Sequence, residues 1–337
     1  MTPSTGRPHR AVPAAIALAA LLLVLVVLSL TVGARPIAVP DVAQALLARD
    51  PANSAHAIIW DRRLPRTLAA ILAGIAMALA GTLLQTLTRN PLADTGVLGI
   101  NAGAGFALAL TLSLAGWSSP GAFLGAALGG AALATVLVTR LGRAAGGGID
   151  PLQLVLAGVA LSAILEGIGD GLSMVDPQTF GRVRAWMTGN VDVASFTPLI
   201  LLGVGLAVAG VGLLFTHGTL NLLLLGDDTA QALGVNLRRT RIIVLGTVAV
   251  LAACATAVVG VITFLGLMVP HLLRQVGLHG HVALLSLGAL LGPVLLLGAD
   301  ILGRVLLPGE LPAGVVVAFL GAPFLIAVAQ RRTVVSA

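Results

Sequence analysis

The sequence predicts an all-α polytopic membrane protein with about ten transmembrane helices. Three observations carry that prediction. Hydrophobic residues make up 58% of the 337 and charged residues only 9%, where a soluble domain has roughly 25% charged. Apolar runs of about 20 residues recur along the chain, the length of a helix that crosses a bilayer. Those runs lack the period-two alternation of a membrane barrel strand.

The elements follow in chain order. Arg7 and Arg10 precede an apolar run from Ala11 to Leu30. A secretory signal is the competing reading, with Val32-Gly33-Ala34 as a cleavage site, but the run exceeds the roughly 7–15 residues of such a signal. It is taken as a retained first helix. Candidate spans are 12–33, 64–86, 97–115, 121–141, 151–172, 196–215, 241–259, 261–277, 282–301 and 312–330. The apolar run 242–269 is too long for one helix, and Gly260 and Pro270 punctuate it. Ten spans with an inside N-terminus put both ends inside. Arg7, Arg10, Arg89, Arg140, Arg143, Arg238, Arg239, Arg241, Arg274, Arg331 and Arg332 then lie inside, against eight arginines outside, a modest positive-inside bias. Asp150, Asp227 and Asp228 join the inner loops, and Asp176, Asp192 and Glu310 the outer ones. The longest polar interruptions are 34–63 and 173–195 outside and 217–240 inside.

Composition also excludes functions. All 19 basic residues are arginine, so the chain has no Walker A lysine to hold a nucleotide phosphate and no lysine for Schiff-base chemistry. If ATP drives this protein, another chain hydrolyses it. Cys254 is the single cysteine and reads as a small packing residue. The net charge of +6 is spread over loops, which argues against a nucleic-acid partner. His271, His279 and His281 have no cysteine or carboxylate cluster beside them to complete a zinc site. No nucleophile–base pair or cofactor motif stands out, so no catalytic, cofactor or metal residue is assigned and the chain reads as not an enzyme.

Four segments carry candidate mechanism. Arg62, Arg63 and Arg66 sit at the mouth of the second span, where they can dock a partner or simply snorkel to the interface. In the inner segment HGTLNLLLLGDDTAQALGVNLRRTR, Asp227 or Asp228 can cap a short helix and Gly234 can end it in the left-handed region. Ala230 and Leu233, three apart, would share one face of that helix. Such a stub, with Arg238 at its exit, fits a groove on a partner; a loop held by headgroups is the plain alternative. Glu166 and Asp170 are four apart near the outer end of span 151–172. Intramembrane carboxylates suggest an ion or proton site, or a side chain facing a water-filled pathway. Ala313, Gly314, Ala318, Gly321 and Ala322 make the last span suited to close packing and movement.

The wording of these segments resembles a known family. DRRLPRTL, Gln85, then RNPLADTGVLGINAGAG, with GVITFLGLMVPHLLR and GADILGR–ELPAG–GAPFLI further on, is similar to the FecCD-type permeases of ATP-binding-cassette (ABC) importers. These carry iron–siderophore complexes, haem or cobalamin. Residues 85–105 are most similar to ferric-siderophore permeases of the enterobactin type. The resemblance spans about residues 60–332 and fades before them. It implies a single permease domain over 1–337 of type II ABC importer architecture, with a cytoplasmic tail at 1–11 and a cytoplasmic coupling segment at 217–240. It implies a multi-pass location in the bacterial cytoplasmic membrane and a ferric siderophore as cargo, with haem or cobalamin as alternatives. Separate ATPase subunits, an extracytoplasmic substrate-binding protein and a second permease subunit, more often a different chain than a copy, are the implied partners. Arg63, Arg66 and Arg304 match the family's docking arginines for the binding protein. Asp227, Asp228, Ala230, Leu233, Gly234 and Arg238 match its ATPase-coupling helix. Glu166, Gly314, Ala318 and Gly321 fall where the translocation pathway and gate are expected. An ion-coupled secondary transporter is the rival from another class; it would carry paired charges near helix centres, and only Glu166 comes close.

Overall fold

A computed structural model describes residues 11–115, 119–142, 151–175, 177–223, 226–307 and 309–333. The expectations for the tail at 1–10 and for Arg143, Asp150 and Asp176 lie outside these residues. The described residues form helices and connections, with no strand among them.

Each of the ten expected spans is occupied by a helix. In chain order with the short ones, these are α1 (Ala11–Thr31), α2 (Val39–Leu47), α3 (Ser54–Ile58), α4 (Leu64–Thr88), α5 (Ile100–Ala115), α6 (Pro120–Leu141), α7 (Pro151–Val175), α8 (Pro177–Met187), α9 (Thr197–Leu223), α10 (Asp227–Ala232), α11 (Leu237–Val259), α12 (Leu265–Gln275), α13 (His281–Leu306) and α14 (Ala313–Thr333). Among the described residues, seven helices are long and apolar enough to cross a membrane: α1, α4 with the turns before it, α6, α7, α9, α11 and α13. Shorter apolar stretches at Ile100–Ser113 and Ala313–Ala327 belong to α5 and α14.

The eighth expected span shrinks most. α12 has 11 residues, about 16 Å of helix, roughly half the hydrocarbon thickness. The cause is local. Gly260 leaves α11 at φ 75° and Phe264 adopts φ 66°, so residues 260–263 run without helix before α12 starts. That irregular backbone is surrounded by protein, the condition under which it is tolerated at membrane depth. Asn190 N–H donates to Val259 O at 2.8 Å across the break. A Cβ on Gly189 would come within 2.2 Å of Val261 O.

The polar interruptions are more structured than expected. Residues 34–63 hold α2, α3 and a π-helical turn, Ile59–Arg63, that leads directly into α4. Asn53 caps α3 by accepting from Ala55 N–H at 2.9 Å. Residues 173–195 hold α8. On the opposite side, α9 stays helical to Leu223, so the expected segment 217–240 narrows to a short connection around α10.

α4 is the axis of the bundle. Its most apolar window is 72% buried, against 0% for α1 at the periphery. It packs on α9, α11, α12 and α13, and glycine sets the closest approaches. A Cβ on Gly74 would meet Pro293 N of α13 at 2.7 Å, and one on Gly81 would meet Gly266 O of α12 at 2.0 Å. Gly103 and Gly130 do the same between α5 and α6. Small residues at crossings are how membrane helices gain van der Waals contact when lipid and side chain are equally apolar. Thr82, Thr86 and Thr88 return their hydroxyls to the carbonyls four residues back at 2.8 Å, which leaves no unpaired hydroxyl on this helix.

Candidate functional site: charged clusters at the two ends of the bundle

The end assigned to the outside is organised by Asp300 of α13, which is fully buried. Arg66, in the first turn of α4, donates to Asp300 Oδ1 from Nε at 3.0 Å and Nη2 at 2.8 Å. Its Nη1 donates to Glu310 Oε2 at 2.8 Å and lies 3.6 Å from Asp192 Oδ1. Arg304, one turn after Asp300, donates to Asp300 Oδ2. Each carboxylate oxygen of Asp300 therefore serves one arginine. Two cations share one buried anion, and the half-exposed Glu310 and Asp192 supply the balancing charge.

Arg304, with Arg63, also closes α1. A helix leaves its last carbonyls without intrahelical partners. Arg63 donates to Leu30 O and Arg35 O. Arg304 donates to Ser29 O at 2.9 Å and Val32 O at 3.4 Å, and to Ser29 Oγ at 3.2 Å. The Ser29 hydroxyl in turn meets that of Thr67 at 2.7 Å. Basic groups are favoured at a helix C-terminus.

Arg63, Arg66 and Arg304, expected as docking residues, come together here and point inward. Arg63 and Arg66 are buried and the Arg304 side chain is 3% exposed. What faces outward is a hollow of about 230 Å³ lined by Arg35, Arg62, Arg63, Arg66, Arg304 and Glu310, with Arg35 and Arg62 exposed at its rim. Asp300 was missed at the sequence level. Its signal was present: an acid inside an apolar run with an arginine four residues later.

At the other end, Asp227 joins three segments. It accepts from Arg89, which ends α4 in a left-handed conformation, and from Arg241 of α11 at 2.7 Å. Arg89 Nε also donates to Leu223 O, the last residue of α9, at 2.9 Å. Burial pushes the Asp227 carboxyl up, but the hydrogen bonds and charges of Arg89 and Arg241 outweigh it and hold its pKa below the ordinary value. The stability this link contributes is present above the ordinary carboxylate range and is lost as pH falls through the depressed pKa.

α10 forms where expected and Gly234 takes φ 83° after it. Two details differ from expectation. Gly226, at φ 106°, stands at the N-cap, and no side chain caps this helix; Asp227 and Asp228 lie in the first turn, and Asp227 is committed to the arginines. Ala230 and Leu233 differ in exposure, with Leu233 standing at the C-cap just past Ala232. Ala230 is buried while Leu233 is 58% exposed. Leu233 is a projecting apolar group, with exposed Asp228 and Arg238 on either side of it in sequence. Asn236 caps the following helix by accepting from Arg239 N–H at 3.0 Å. Nearby, Arg274 of α12 donates to Gln85 Oε1 of α4 at 2.7 Å, a link that sequence reading noted only as two separate residues.

The residues expected along the pathway divide into two kinds. Glu166 and Asp170 are exposed on α7 beside a small hollow of about 30 Å³ shared with Asn101 of α5 and Val183 of α8. Gly314 and Gly321 are packing positions. Gly314 N–H donates to Gly189 O at 2.9 Å, and a Cβ there would meet Thr188 O at 2.4 Å. A Cβ on Gly321 would meet that of Phe264 at 2.6 Å. Ala318 between them is half-buried. α7 and α14 nevertheless expose bulky apolar residues elsewhere, including Leu156, Ile164 and Ile168 on α7 and Phe319 and Ile326 on α14.

With both ends described, the chain can be set beside known proteins. The model of the FecCD transport family matches residues 21–331. The chain is 45% identical over 326 residues to the ferric enterobactin transport system permease protein FepD of Escherichia coli K12, covering 96% of this chain and 97% of that one. It is 40% identical over 309 residues to the Fe(3+) dicitrate transport system permease protein FecC of the same organism, covering 88% and 90%. A solved structure described as a metal-chelate type ABC transporter in an inward-facing conformation superposes with a TM-score of 0.81 at 26% identity, covering 95% of this chain and 99% of that one.

Proposed function

The chain belongs to the FecCD transport family, and from that premise we propose that it is the permease subunit of an ABC importer that carries a ferric siderophore across the cytoplasmic membrane. The chain is a multi-pass permease and not an enzyme. The observation that carries the cargo is the 45% identity to a ferric enterobactin permease, which extends over 96% of this chain.

The geometry supports a division of labour between the two ends. Outside, a substrate-binding protein approaches the arginine-lined hollow. Arg63 and Arg304 hold α1 to the rim, and Arg66 keeps one donor near the surface. An incoming carboxylate can take the place of Glu310 or Asp192 on Arg66 Nη1, since both are partly exposed; Arg35 and Arg62 add general attraction. Charge complementarity of this kind sets encounter rate and register. Inside, α10 presents Leu233 to a groove on an ATPase subunit, and Arg89–Asp227–Arg241 ties that stub to α4 and α11. A force on α10 is thereby delivered to the central helix. The exposed faces of α7 and α14 meet a second permease subunit, a different chain in the favoured arrangement, and enclose the pathway where Glu166, Gly314, Ala318 and Gly321 lie. Bond-making chemistry stays on the ATPase.

The test is uptake of radiolabelled ferric siderophore, haem and cobalamin by cells with the chain, without it, and with Leu233→Arg. We expect ferric siderophore uptake alone to fall to background on deletion, and at least tenfold in a variant that still inserts and assembles. Loss of haem or cobalamin uptake instead would reassign the cargo. Normal uptake by a well-inserted Leu233→Arg protein would sink the coupling assignment.

A further inference from the structure

A groove runs down the outside of the bundle between α6 and α11. Its volume is about 610 Å³. Leu128, Ala132 and Val136 of α6 face Leu245, Gly246 and Ala249 of α11 across it. Thr135 and Thr139 also line it, but their hydroxyls donate to Ala131 O at 2.8 Å and Thr135 O at 2.7 Å. The lining is therefore apolar in effect.

The groove has one charged end. Arg140, at the last turn of α6, closes it beside Ile242 in the first turns of α11. α11 begins at the cluster containing Arg241 and Asp227, so Arg140 lies at the cytoplasmic end. Its guanidinium makes no ion pair or hydrogen bond among the described residues. One turn before Ile242, Arg238 continues the same face of α11 toward the cytoplasm. From Leu128 to Arg140 the groove covers about 18 Å of helix, close to one leaflet of a hydrocarbon core about 30 Å thick.

An apolar channel one leaflet long, ending at headgroup level in an arginine with no partner among the described residues, matches one class of ligand. We propose that this groove binds an anionic glycerophospholipid of the cytoplasmic leaflet, one acyl chain between α6 and α11 and its phosphate against Arg140. Arginine suits phosphate because its planar fork donates two parallel hydrogen bonds. Basic sites between helices on the cytoplasmic side are where anionic headgroups are held. A purely apolar chain would leave Arg140 unpaired, and a zwitterionic headgroup would present a cation beside it.

The structure also supplies a clean test. A Cβ on Gly246 would meet nothing within 4 Å, so Gly246→Leu fills the groove without a clash. Gly129 on α6 is equally open and does not line the groove, so Gly129→Leu is the control. The full-length chain, purified in detergent, is titrated with phosphatidylglycerol and with phosphatidylcholine, and bound lipid is counted by native mass spectrometry. We expect one phosphatidylglycerol retained about fivefold over phosphatidylcholine. Arg140→Gln should remove the preference while leaving weak binding of both. Gly246→Leu should lose both, and Gly129→Leu neither. Equal retention of the two lipids in the parent, or a preference unchanged in Arg140→Gln, overturns the proposal. So does a folded Gly246→Leu protein that keeps its lipid, or that changes its oligomeric mass instead. Should Gly246→Leu fail to fold, Arg140→Gln decides alone. Transport plays no part in the readout, so failure here leaves the importer reading untouched.

Discussion

Asp300 gives each of its two oxygens to a different arginine, and that sharing makes it the residue whose loss the outer rim feels most. Removing one partner of a buried ionic group leaves the others desolvated without compensation, at a cost of about 3–5 kcal/mol. Asp300→Asn should therefore lower unfolding stability in detergent by about that amount, followed by tryptophan fluorescence. Adding Arg304→Met should recover part of the loss, because one cation then leaves with the anion. If Asp300→Asn proves neutral, the rim is held by Glu310 and Asp192 instead. The arginines of this network were legible in the sequence as a group, but their direction was not. Arg66 lies 234 residues from Asp300, and nothing local distinguishes an arginine that turns in toward a distant acid from one that reaches out to a partner. Leu233 shows the same limit on a smaller scale. Three-residue spacing puts it near Ala230, yet Ala230 is buried and Leu233 is exposed.

Helices were legible in position because their apolar runs are long. Their crossings were not, because a glycine that packs and a glycine in open lipid look alike in sequence. Gly81 and Gly203 make the contrast. A side chain on Gly81 drives into the backbone of α12, while one on Gly203 of α9 meets nothing within 4 Å. Gly81→Leu should destabilise the chain by about 3 kcal/mol or more, and Gly203→Leu should change the unfolding temperature little. Equal effects would mean that α4 and α12 can separate at small cost. α12 also explains the expected span that came out shortest. Residues 260–264 are as apolar as the helix they precede, and hydropathy reports burial without reporting whether the buried backbone is helical. Gly260 marked the break, but the left-handed Phe264 gave no signal. The helices α2, α3 and α8 were hidden for the opposite reason: polar composition reads as loop.

At the scale of the molecule, lipid-facing and partner-facing apolar surfaces carry the same residue types, so the sequence reading leaned on resemblance to place the second permease. The proposed arrangement is specific enough to check. With Cys254 replaced by alanine, a cysteine at Ile168 or Phe319 should cross-link to the second permease in the assembled importer. A cysteine at Leu23 of α1 should not, and the reverse pattern would move the subunit contact to the α1 side. The link between Arg66 and Asp300 has a further consequence, for how the chain is made. At about 5–20 residues per second, the ribosome reaches Asp300 roughly 10–50 s after Arg66. Throughout that interval the mouth of α4 holds a cation without its buried acid, and Asp192, made about midway, or phospholipid headgroups stand in. Synthesis of α13 closes the outer rim, so the helix inserted second waits for nearly the last one before its end is sealed.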